Sequence, residues 1–412
     1  MSPKRIVILH PDLGIGGAER LVVDAALALK KKNYEVCFVT THHDHSHCFE
    51  ETIDGTFQVL VVGDWLPRNI FGRFFALCAY LRMIYAAFYL VFFSNVTPLL
   101  VICDLVSVCI PILKLAGIRV IFYCHHPDQL LSQPGSKLKA LYRAPINWFE
   151  EKTTGMADKI LVNSQYTQKV FKETFKSIRV TPDILYPSIP TDNFHKISSN
   201  LPLKEIVDDP TLIDNPILFL SINRYERKKF IEIAIKALKL VRGKISEAAW
   251  KRTVLIIAGG YDSNLAENVE YYEELTSLCK KENLSDHVYF LRSISNEAKI
   301  SLMKQCVCLI YTPPNEHYGI VPIEAMYLGK PVIAQNSGGP LETVVHGETG
   351  FLCDNDPMEF AKAMYEFLEQ PNPSETMGLR GKKRFDLLYS ADSFAIQLEF
   401  HVLSALNLIK KD

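Results

Sequence analysis

The sequence lacks any pair of cysteines at the two-residue spacing of zinc ribbons and redox motifs. Its ten cysteines are scattered along 412 residues, and Cys306 and Cys308 are the only closely spaced pair. Such scatter is typical of reduced, mostly buried thiols in a cytosolic protein, and it excludes a disulfide-stapled secreted scaffold. The sequence also predicts no secretory signal, because an apolar β-branched run begins at residue 5 without a preceding leader.

An excess of charge of either sign is absent as well. The formal net charge is −1 and the isoelectric point is near 6.9, so no overall field favours nucleic acid or an acidic surface. The sequence contains no tandem repeats or low-complexity tracts. Its 48% hydrophobic and 22% charged residues are values of an ordinary globular protein. A chain of 412 residues exceeds the usual size of one hydrophobic core, which predicts two domains.

Residues 74–93 are the one long apolar stretch, with eight aromatics and a single charge, Arg82. Twenty helical residues would just span a bilayer. A charge in mid-span is costly, however, and Cys78, Arg82, Tyr85 and Tyr89 recur at helical spacing as a weakly polar stripe. We therefore favour a helix that is buried in the first domain or lies in the membrane interface over a helix that crosses the membrane.

Short apolar, β-branched runs alternate with helical patterns in both halves of the chain. The predicted strands are 5–10, 34–40, 57–62, 99–104, 119–124 and 159–164, then 217–223, 253–260, 287–291, 307–312 and 331–336. The predicted helices between them are 17–31, 105–116, 165–176, 229–242, 266–282 and 296–305. Such alternation predicts an α/β fold with a doubly wound parallel sheet in each half.

The domain boundaries follow from a change in composition. The segment 191–216, rich in Pro, Asp and Asn, is predicted to link a first domain, 1–190, to a second domain, 217–385. Residues 356–409 have a helical pattern throughout, and we expect 386–412 to form a C-terminal helix that returns to the first domain. Two Rossmann-like domains that face a central cleft are the simplest assembly of these parts.

A glycine-rich loop, "HPDLGIGGAERLV" (10–22), separates the first strand from the first helix. Gly16 and Gly17 would let backbone amides approach a phosphate at a helix N-terminus. The pattern is G-x-G-G instead of G-x-G-x-x-G, and no clear ribose-binding acid ends the second strand, so a dinucleotide cofactor is disfavoured. The alternative is that these glycines only shape a turn.

Two cations follow the first strand of the second domain in "SINRYERKKF" (221–230). Arg224 could bind a diphosphate as a bidentate fork, and Lys229 could bind it as a point charge. A solvated surface run is the alternative, and it is the interpretation we favour for Arg227 and Lys228. A second glycine pair, in "NSGGPLE" (336–342), could offer backbone amides to a ligand or could only shape a turn.

Two carboxylates flank a predicted strand-to-helix connection in "NEHYGIVPIEAM" (315–326). Pro322 suits the first turn of a helix, which predicts that Glu324 lies in that turn and that the helix stops near Gly329. Glu316 lies in the preceding loop, where a parallel sheet binds its ligands. The alternative is that Glu324 only complements the helix dipole and Glu316 is a solvated loop residue.

Histidines cluster at two places. His125 and His126 end a first-domain strand, and one of them could donate to or accept from a ligand hydroxyl, although a strand-end histidine is often structural. A second cluster, at 42–48, contains His42, His43, His45, His47 and Cys48. Its spacing matches no structural zinc pattern, so we interpret it as a solvated loop.

Together these features place cations, carboxylates and glycine loops at the predicted carboxyl ends of parallel strands. Cations bind a diphosphate, whereas carboxylates accept hydrogen bonds from the hydroxyls of sugars and ribose. The combination therefore predicts a sugar-nucleotide site. A glycosidase that uses Glu316 and Glu324 as acid and base is an alternative, but it would leave Arg224 and Lys229 without a role. A non-enzymatic protein that binds a sugar nucleotide at a membrane is a further alternative.

The motifs "GIGGAER", Arg224 with Lys229, "NEHYGIVPIEAM" and "NSGGPLE" resemble those of the retaining GT-B glycosyltransferases of family 4. With "GDWLPR", "YCHHPD" and "YRAPINWFEE", the resemblance extends over residues 4–405 and is strongest to the family's eukaryotic mannosyltransferases that extend dolichol-linked oligosaccharides. It implies the GT-B fold, with two Rossmann-like domains, and metal-independent transfer with retention. It also implies that no cofactor is needed.

The resemblance further implies GDP-mannose as donor and a dolichyl-diphosphate oligosaccharide as acceptor, with an α-1,3 and then an α-1,6 linkage formed on the cytosolic face of the endoplasmic reticulum membrane. Other glycosyltransferases of the same pathway are implied as possible partners, and nucleic acid is not. His125 and Glu316 would contact the donor mannose, Arg224 and Lys229 the diphosphate, and Glu324 the ribose. The remaining residues that the resemblance assigns to substrate binding are Gly16, Gly17, Gly319, Ile320, Gly338 and Gly339.

Overall fold

The chain forms two compact units in its computed structural model, which describes residues 4–131, 137–189, 191, 194, 200–369 and 372–408. The first unit comprises Met1–Ser188 together with Ser390–Asp412, and the second comprises Ile189–Tyr389. Part of the predicted linker, including 192–193 and 195–199, lies outside the described residues.

Each unit is built on one parallel sheet. The first sheet has seven strands, β1 to β7, at Arg5–His10, Glu35–Thr40, Gln58–Val61, Leu100–Asp104, Arg119–Cys124, Lys159–Val162 and Asp183–Ile184. The second sheet has six strands, β8 to β13, at Ile217–Ile222, Thr253–Gly259, Val288–Arg292, Cys308–Tyr311, Val332–Gln335 and Gly350–Cys353. The strand orders are β3-β2-β1-β4-β5-β6-β7 and β10-β9-β8-β11-β12-β13. Both are doubly wound orders, so the predicted pair of Rossmann-like α/β units is confirmed.

The helices of the first unit precede and follow the second unit in sequence. Those before it, α1 to α6, are Gly17–Lys31, Phe75–Phe92, Ile110–Leu115, Asp128–Leu131, Lys137–Thr154 and Gln165–Thr174, and α16 at Ala391–Ala405 follows it. The second unit contains α7 to α15, at Leu203–Ile206, Glu232–Arg242, Glu247–Arg252, Ala266–Lys281, Asn296–Gln305, Ile320–Tyr327, Pro340–Thr343, Pro357–Glu369 and Asn372–Leu388. Two 3₁₀ turns cover Glu50–Thr52 and Arg227–Lys229.

Alternating residues of β1 show how the first sheet is buried on both faces. Ile6 and Ile8 pack into an apolar cluster with α1 and α16, whereas Val7 and Leu9 pack into a second cluster with α2 and α3. A strand that is buried on both faces reads as a continuous apolar run, which is why the strands were recognisable in the sequence.

The last helix, α16, packs along α1. Ser390 caps it, because the Ser390 hydroxyl accepts from the Ser393 N–H at 3.2 Å. Phe394 and Leu398 enter the core beside α1, and Lys32 lies 2.8 Å from Glu399 at the edge of this contact. These contacts make α16 part of the first unit.

The predicted polar stripe of α2 faces the first unit. Cys78 and Arg82 are buried, while Tyr85 and Tyr89 are partly buried and pack against the same core. The Arg82 guanidinium donates to the Thr41 carbonyl and lies 3.1 Å from the Asp64 carboxylate. A buried cation is costly without such partners, so this helix face is fixed to the protein.

The opposite face of α2 is apolar and exposed. Leu77, Leu81, Phe88 and Phe92 lie on it. Among the described residues, α2 is the one helix whose length and composition would suit a membrane span. Its 18 residues measure about 27 Å, slightly less than a typical hydrocarbon core of about 30 Å.

Several elements differ from the sequence-based expectations. The helix predicted over 105–116 begins only at Ile110, and Leu105 takes a left-handed backbone with φ 62°. The helical pattern of 356–409 is divided into α14, α15 and α16, with residues 370–371 and 409 outside the described part of the chain. The strands β7 and β13 were not predicted: β7 has only two residues, and β13 opens with a glycine.

The described part of the predicted linker, 200–216, packs on the second unit. The Leu201 N–H donates to the Ser301 hydroxyl at 3.1 Å, and the Gln305 amide donates to the Leu201 carbonyl at 3.0 Å. The Tyr289 hydroxyl donates to Asp209 at 2.8 Å. The Leu201 backbone and the Asp209 side chain of this segment therefore form hydrogen bonds with α11 and β10.

Candidate active site

The two predicted cations of the second unit lie in the loop that follows β8. Arg224 is 64% exposed, and its guanidinium lies 3.0 Å from Glu226. Lys229 ends the 3₁₀ turn Arg227–Lys229 and is only 12% exposed. Arg227 contacts Glu270 and Glu274 on the surface, in agreement with its interpretation as a solvated charge. Lys229 is therefore the cation that this loop directs inward.

Lys229 forms an ion pair with Glu316, which follows β11. The Thr312 hydroxyl donates to the Lys229 carbonyl at 2.7 Å, and this bond fixes the two loops to each other. Because β8 and β11 are neighbours in the sheet, residues 87 positions apart meet at one edge. A cation and a carboxylate thus lie side by side at the carboxyl ends of parallel strands, where α/β proteins bind ligands.

The sequence suggested that Glu324 lies in the first turn of its helix, but the structure places it later. The helix α12 begins at Ile320, two residues before Pro322, so Glu324 is its fifth residue. Its carboxylate is 12% exposed and lies 2.6 Å from the Lys299 ammonium on α11. Burial raises the pKa of Glu324, and the charge of Lys299 opposes that rise. Glu324 is thus a buried, paired carboxylate and does not serve as a dipole partner at the helix start.

The loop between Glu316 and α12 ends in a left-handed glycine. Gly319 has φ 78° and precedes the first helical residue, Ile320, whose side chain is 47% exposed. A side chain is strained in this backbone region, which explains the glycine. The first amides of α12 have no partner within the helix and are available to an acceptor.

Gly338 and Gly339 allow the loop after β12 to touch the Glu316 loop. A Cβ on Gly338 would lie 2.4 Å from the Glu316 carbonyl oxygen, and a Cβ on Gly339 would lie 2.4 Å from that of Tyr318. The Gly339 N–H donates to the Glu316 carbonyl at 2.6 Å. These glycines therefore hold the Glu316 backbone in place, and the Gly339 amide already has an acceptor within the protein.

One Asp-x-Asp spacing occurs in the second unit, at 354–356, in the loop between β13 and α14. The Asp354 carboxylate accepts from the Asn336 amide at 2.9 Å, and the Asp356 carboxylate accepts from the Met358 N–H at 3.0 Å. Both carboxylates thus have local structural partners.

Three titratable residues of the first unit meet at the carboxyl edge of its sheet. His10 ends β1, Asp104 ends the neighbouring β4, and His125 directly follows β5. The Asp104 Oδ2 lies 3.0 Å from His10 Nδ1, and its Oδ1 lies 2.9 Å from His125 Nε2. On its other side, His10 Nε2 lies 3.7 Å from Glu19. Asp104 and His10 are fully buried, whereas His125 is 19% exposed.

The charges within this cluster offset one another. Burial would lower the pKa of His10, but Asp104 and Glu19 outweigh it and raise the pKa to about 9. Burial would raise the pKa of Asp104, but His125 and His10 outweigh it and lower the pKa to about 2. At neutral pH the cluster therefore contains a buried carboxylate that is neutralised by a buried imidazolium.

The predicted glycine loop lies beside this cluster. Gly16 precedes α1 in an extended backbone, and its carbonyl accepts the Arg20 N–H at 2.9 Å. A Cβ on Gly17 would meet no atom within 4 Å, so that position is open. Glu19, in the first turn of α1, reaches back to His10 and links the loop to the histidine cluster.

The histidines of 42–48 contact separate partners. His42 Nδ1 lies 2.8 Å from Asp64, and His43 Nε2 lies 3.0 Å from the Thr52 hydroxyl. Within the described ranges, no three His, Cys, Asp or Glu residues converge as metal ligands. All ten cysteines are free, and nine of them are buried, which confirms the predicted burial of the thiols.

Comparison with known proteins is consistent with this arrangement. Residues 15–193 match the family model described as Glycosyltransferase Family 4, and residues 204–384 match Glycosyl transferases group 1. The α-1,3/1,6-mannosyltransferase ALG2 of Mus musculus is 52% identical over 402 residues, covering 96% of this chain and 95% of the relative. ALG2 of Dictyostelium discoideum is 46% identical over 404 residues, covering 95% of this chain and 96% of the relative.

The chain belongs to the ALG2 family of mannosyltransferases. Solved glycosyltransferases share its fold at low sequence identity. Sucrose-phosphate synthase of Thermosynechococcus elongatus superimposes with a TM-score of 0.70 at 19% identity, over 98% of this chain and 100% of that one. A glycosyltransferase of Rickettsia africae gives 0.71 at 14% identity, over 98% and 99%. The predicted GT-B fold of this ALG2-family chain is confirmed.

Four residues around the predicted site of this ALG2-family chain were not predicted from the sequence: His10, Glu19, Asp104 and Lys299. Asp104 lies beside His125, Lys299 pairs with Glu324, and His10 lies between Asp104 and Glu19. A signal was present for two of them, because His10 and Asp104 each end a predicted strand, as His125 does. Lys299 gave no local signal, since a lysine in an amphipathic helix is usually solvated. Its partner, Glu324, is 25 residues away.

Proposed function

We propose that this chain transfers mannose from GDP-mannose to a dolichyl-diphosphate-linked oligosaccharide, first in α-1,3 and then in α-1,6 linkage, during assembly of the N-glycan precursor. The observation that carries the donor side of this proposal is the Lys229–Glu316 contact at the carboxyl ends of β8 and β11. It supplies a diphosphate-binding cation and a hydroxyl-binding carboxylate in one place. The names of the ALG2 relatives support the linkages.

The proposed reaction forms a bond between the mannose anomeric carbon and an acceptor hydroxyl while the bond to the diphosphate breaks. Arg224 and Lys229 neutralise the charge that grows on the departing diphosphate, as fixed cations do in place of a metal. A phosphate oxygen of the departing GDP takes the acceptor proton on the same face, which retains the anomeric configuration. No protein nucleophile is needed in this scheme.

Donor binding divides the resting ion pair between two ligand groups. In the proposed complex the Lys229 ammonium turns to the diphosphate, and Glu316 accepts a hydroxyl of the mannose. Glu324 accepts the ribose hydroxyls, and Lys299 keeps that buried carboxylate ionised and oriented. The backbone amides of Gly16 and Gly17, of Gly319 before α12 and of Ile320 at its start are proposed contacts of the donor. His125 is proposed to contact the mannose near its anomeric carbon.

The glycosidase alternative has less support. An acid–base pair needs two carboxylates that are free to exchange protons with the substrate. Glu316 is paired with Lys229, and Glu324 is paired with Lys299 on α11. Addition of mannose to a lipid-linked trisaccharide, detected by mass, tests the transferase assignment. A protein that binds GDP-mannose and adds no mannose would contradict it.

We further propose that the enzyme works on the cytosolic face of the endoplasmic reticulum, where it can meet other glycosyltransferases of the pathway. The exposed apolar face of α2, with Leu77, Leu81, Phe88 and Phe92, is proposed to lie in the interface of the cytosolic leaflet. The contacts of Arg82 with Thr41 and Asp64 support this, because a spanning helix would have to give them up or carry the first unit into the bilayer.

Labelling of introduced cysteines tests whether α2 crosses the membrane. His45 and Leu265 are exposed, and they lie on opposite sides of α2 in the sequence. In sealed microsomes, an impermeant maleimide is expected to label His45→Cys and Leu265→Cys equally, since an interfacial helix leaves both units in the cytosol. The parent protein is the control, because its ten native cysteines include the partly exposed Cys48. Labelling of one position only after permeabilisation would show a span and contradict the proposal.

A further inference from the structure

Asp104 has no role in the reaction described so far, although it is the most deeply buried carboxylate beside a proposed donor contact. It is fully buried at the end of β4, and each of its oxygens faces a different histidine. Burial of a carboxylate costs desolvation free energy, so we looked for a group that Asp104 positions.

We propose that Asp104 is a positioning residue that holds His125 in its Nε2–H tautomer and in one ring orientation. This inference rests on the proposed contact of His125 with the donor mannose. His125 Nε2 is buried in the protein and lies 2.9 Å from Asp104 Oδ1. A carboxylate beside one ring nitrogen favours the tautomer that carries its proton there, and in the proposed tautomer Nδ1 is the acceptor.

His10 stabilises the contact between Asp104 and His125. Its Nδ1 faces the second oxygen of Asp104 at 3.0 Å, and both side chains are fully buried. The buried His10 supplies a charge that compensates Asp104, so the charge balance of Asp104 does not depend on His125 alone. Its 19% exposure makes His125 the member of the three-residue line that a ligand can reach.

Glu19 connects the same line to the glycine loop. It lies in the first turn of α1, two residues after Gly17, and its carboxylate lies 3.7 Å from His10 Nε2. Both nitrogens of His10 therefore face carboxylates, which fixes the ring of His10 and through it the carboxylate of Asp104. One series of contacts thus joins the last residue of β1, the last residue of β4 and the residue after β5.

The test compares kcat and KM for GDP-mannose in Asp104→Asn and His125→Ala, alone and combined. Asp104→Asn keeps the shape but lets an amide face His125, so we expect kcat to fall about 10- to 100-fold with KM nearly unchanged. In the His125→Ala background, Asp104→Asn should lower kcat by less than about 3-fold, because Asp104 acts through His125. Asp158→Asn is the matched control: Asp158 is a mostly buried carboxylate at the opposite edge of the same sheet, paired with Lys114 and Arg119.

Two further measurements keep the test decisive if Asp104→Asn folds poorly. The variant His10→Gln/Asp104→Asn removes both buried charges together and should show the same fall in kcat. In the wild-type protein, ¹⁵N chemical shifts of the His125 ring, assigned with His125→Ala, should report the Nε2–H tautomer. The Nδ1–H tautomer there would overturn the inference without any variant.

The remaining outcomes separate this inference from the proposed function. Wild-type kcat in Asp104→Asn, or an equal loss with and without His125, would overturn the positioning role and leave the mannosyltransferase assignment intact. Wild-type kcat in His125→Ala would overturn both the positioning role and the assignment of His125 to the donor. Failure of the wild-type protein to transfer mannose would instead contradict the proposed function.

Discussion

Lys229→Ala is expected to lower kcat for mannosyl transfer by about 10³-fold, with a much smaller change in the KM for GDP-mannose. The charge of the departing diphosphate grows as the bond to mannose breaks, so a cation at that position stabilises the transition state more than the bound donor. Removing one such fixed group typically costs about 10²- to 10³-fold in rate. Arg224→Ala is expected to act in the same direction and less strongly, because the more exposed guanidinium is better screened by water.

The neighbouring lysine supplies the control for this experiment. Lys228 belongs to the same 3₁₀ turn but is 66% exposed and pairs with Glu226. Lys228→Ala therefore removes the same charge from the same turn and should leave the rate within about 3-fold of wild type. Equal rates for Lys229→Ala and Lys228→Ala, in protein with an unchanged melting temperature, would remove Lys229 from the site.

The fold should tolerate the loss of Lys229. Glu316 is 27% exposed, so water can solvate its carboxylate when the ammonium is gone. The Thr312 bond to the Lys229 carbonyl involves the backbone and survives the substitution. A loss of activity without a loss of stability is thus the signature of a group that binds the donor.

Gly339→Ala is expected to have the second large effect, through the backbone of the Glu316 loop. A Cβ at this position would lie 2.4 Å from the Tyr318 carbonyl oxygen and 2.7 Å from its carbon, and backbone atoms cannot rotate away. Such overpacking costs about 1–3 kcal/mol. Since the Gly339 N–H donates to the Glu316 carbonyl, the displacement moves Glu316 itself. A shift of about 1 Å at a positioned group can lower the rate by about 10²-fold.

Gly243→Ala is the matched control for Gly339→Ala. Both glycines have negative φ values, −72° at Gly243 and −59° at Gly339, so neither substitution strains its own backbone. The nearest atom to a Cβ on Gly243 is 3.8 Å away, which is ordinary contact. Thermal melting and transfer rates should be affected only in Gly339→Ala. Wild-type melting and rate in that variant would show that the two loops are not held by this contact.

The sheets could be predicted from the sequence because their strands are buried on both faces. Runs such as 5–10 and 119–124 have continuous apolar centres, at 6–9 and 120–124, and coincide with β1 and β5. Elements that depend on tertiary context were missed. The helix α5 contains Pro145 in its interior, and β13 opens with Gly350 at φ 159°, so neither shows the local pattern of its class.

Only part of the candidate site could be predicted from the sequence, because some of its contacts depend on tertiary structure. Lys229 and Glu316 lie in loops after strands that could be predicted, so their meeting at one sheet edge followed from the strand order. The position of Glu324 was wrong because Pro322 occupies the third helical residue, not the first. The contacts His10–Asp104 and Lys299–Glu324 join distant segments through side-chain orientation, which no local pattern encodes.

The most direct test of the central claim is mass analysis of a dolichyl-diphosphate-linked trisaccharide incubated in liposomes with GDP-mannose and this protein. We expect the lipid-linked glycan to gain one hexose and then a second, and linkage-specific mannosidases should assign the first as α-1,3 and the second as α-1,6. Lys229→Ala protein should leave the trisaccharide unchanged over the same period. An unchanged trisaccharide with correctly folded wild-type protein would contradict the mannosyltransferase assignment. Release of free mannose without extension of the glycan would contradict it as well.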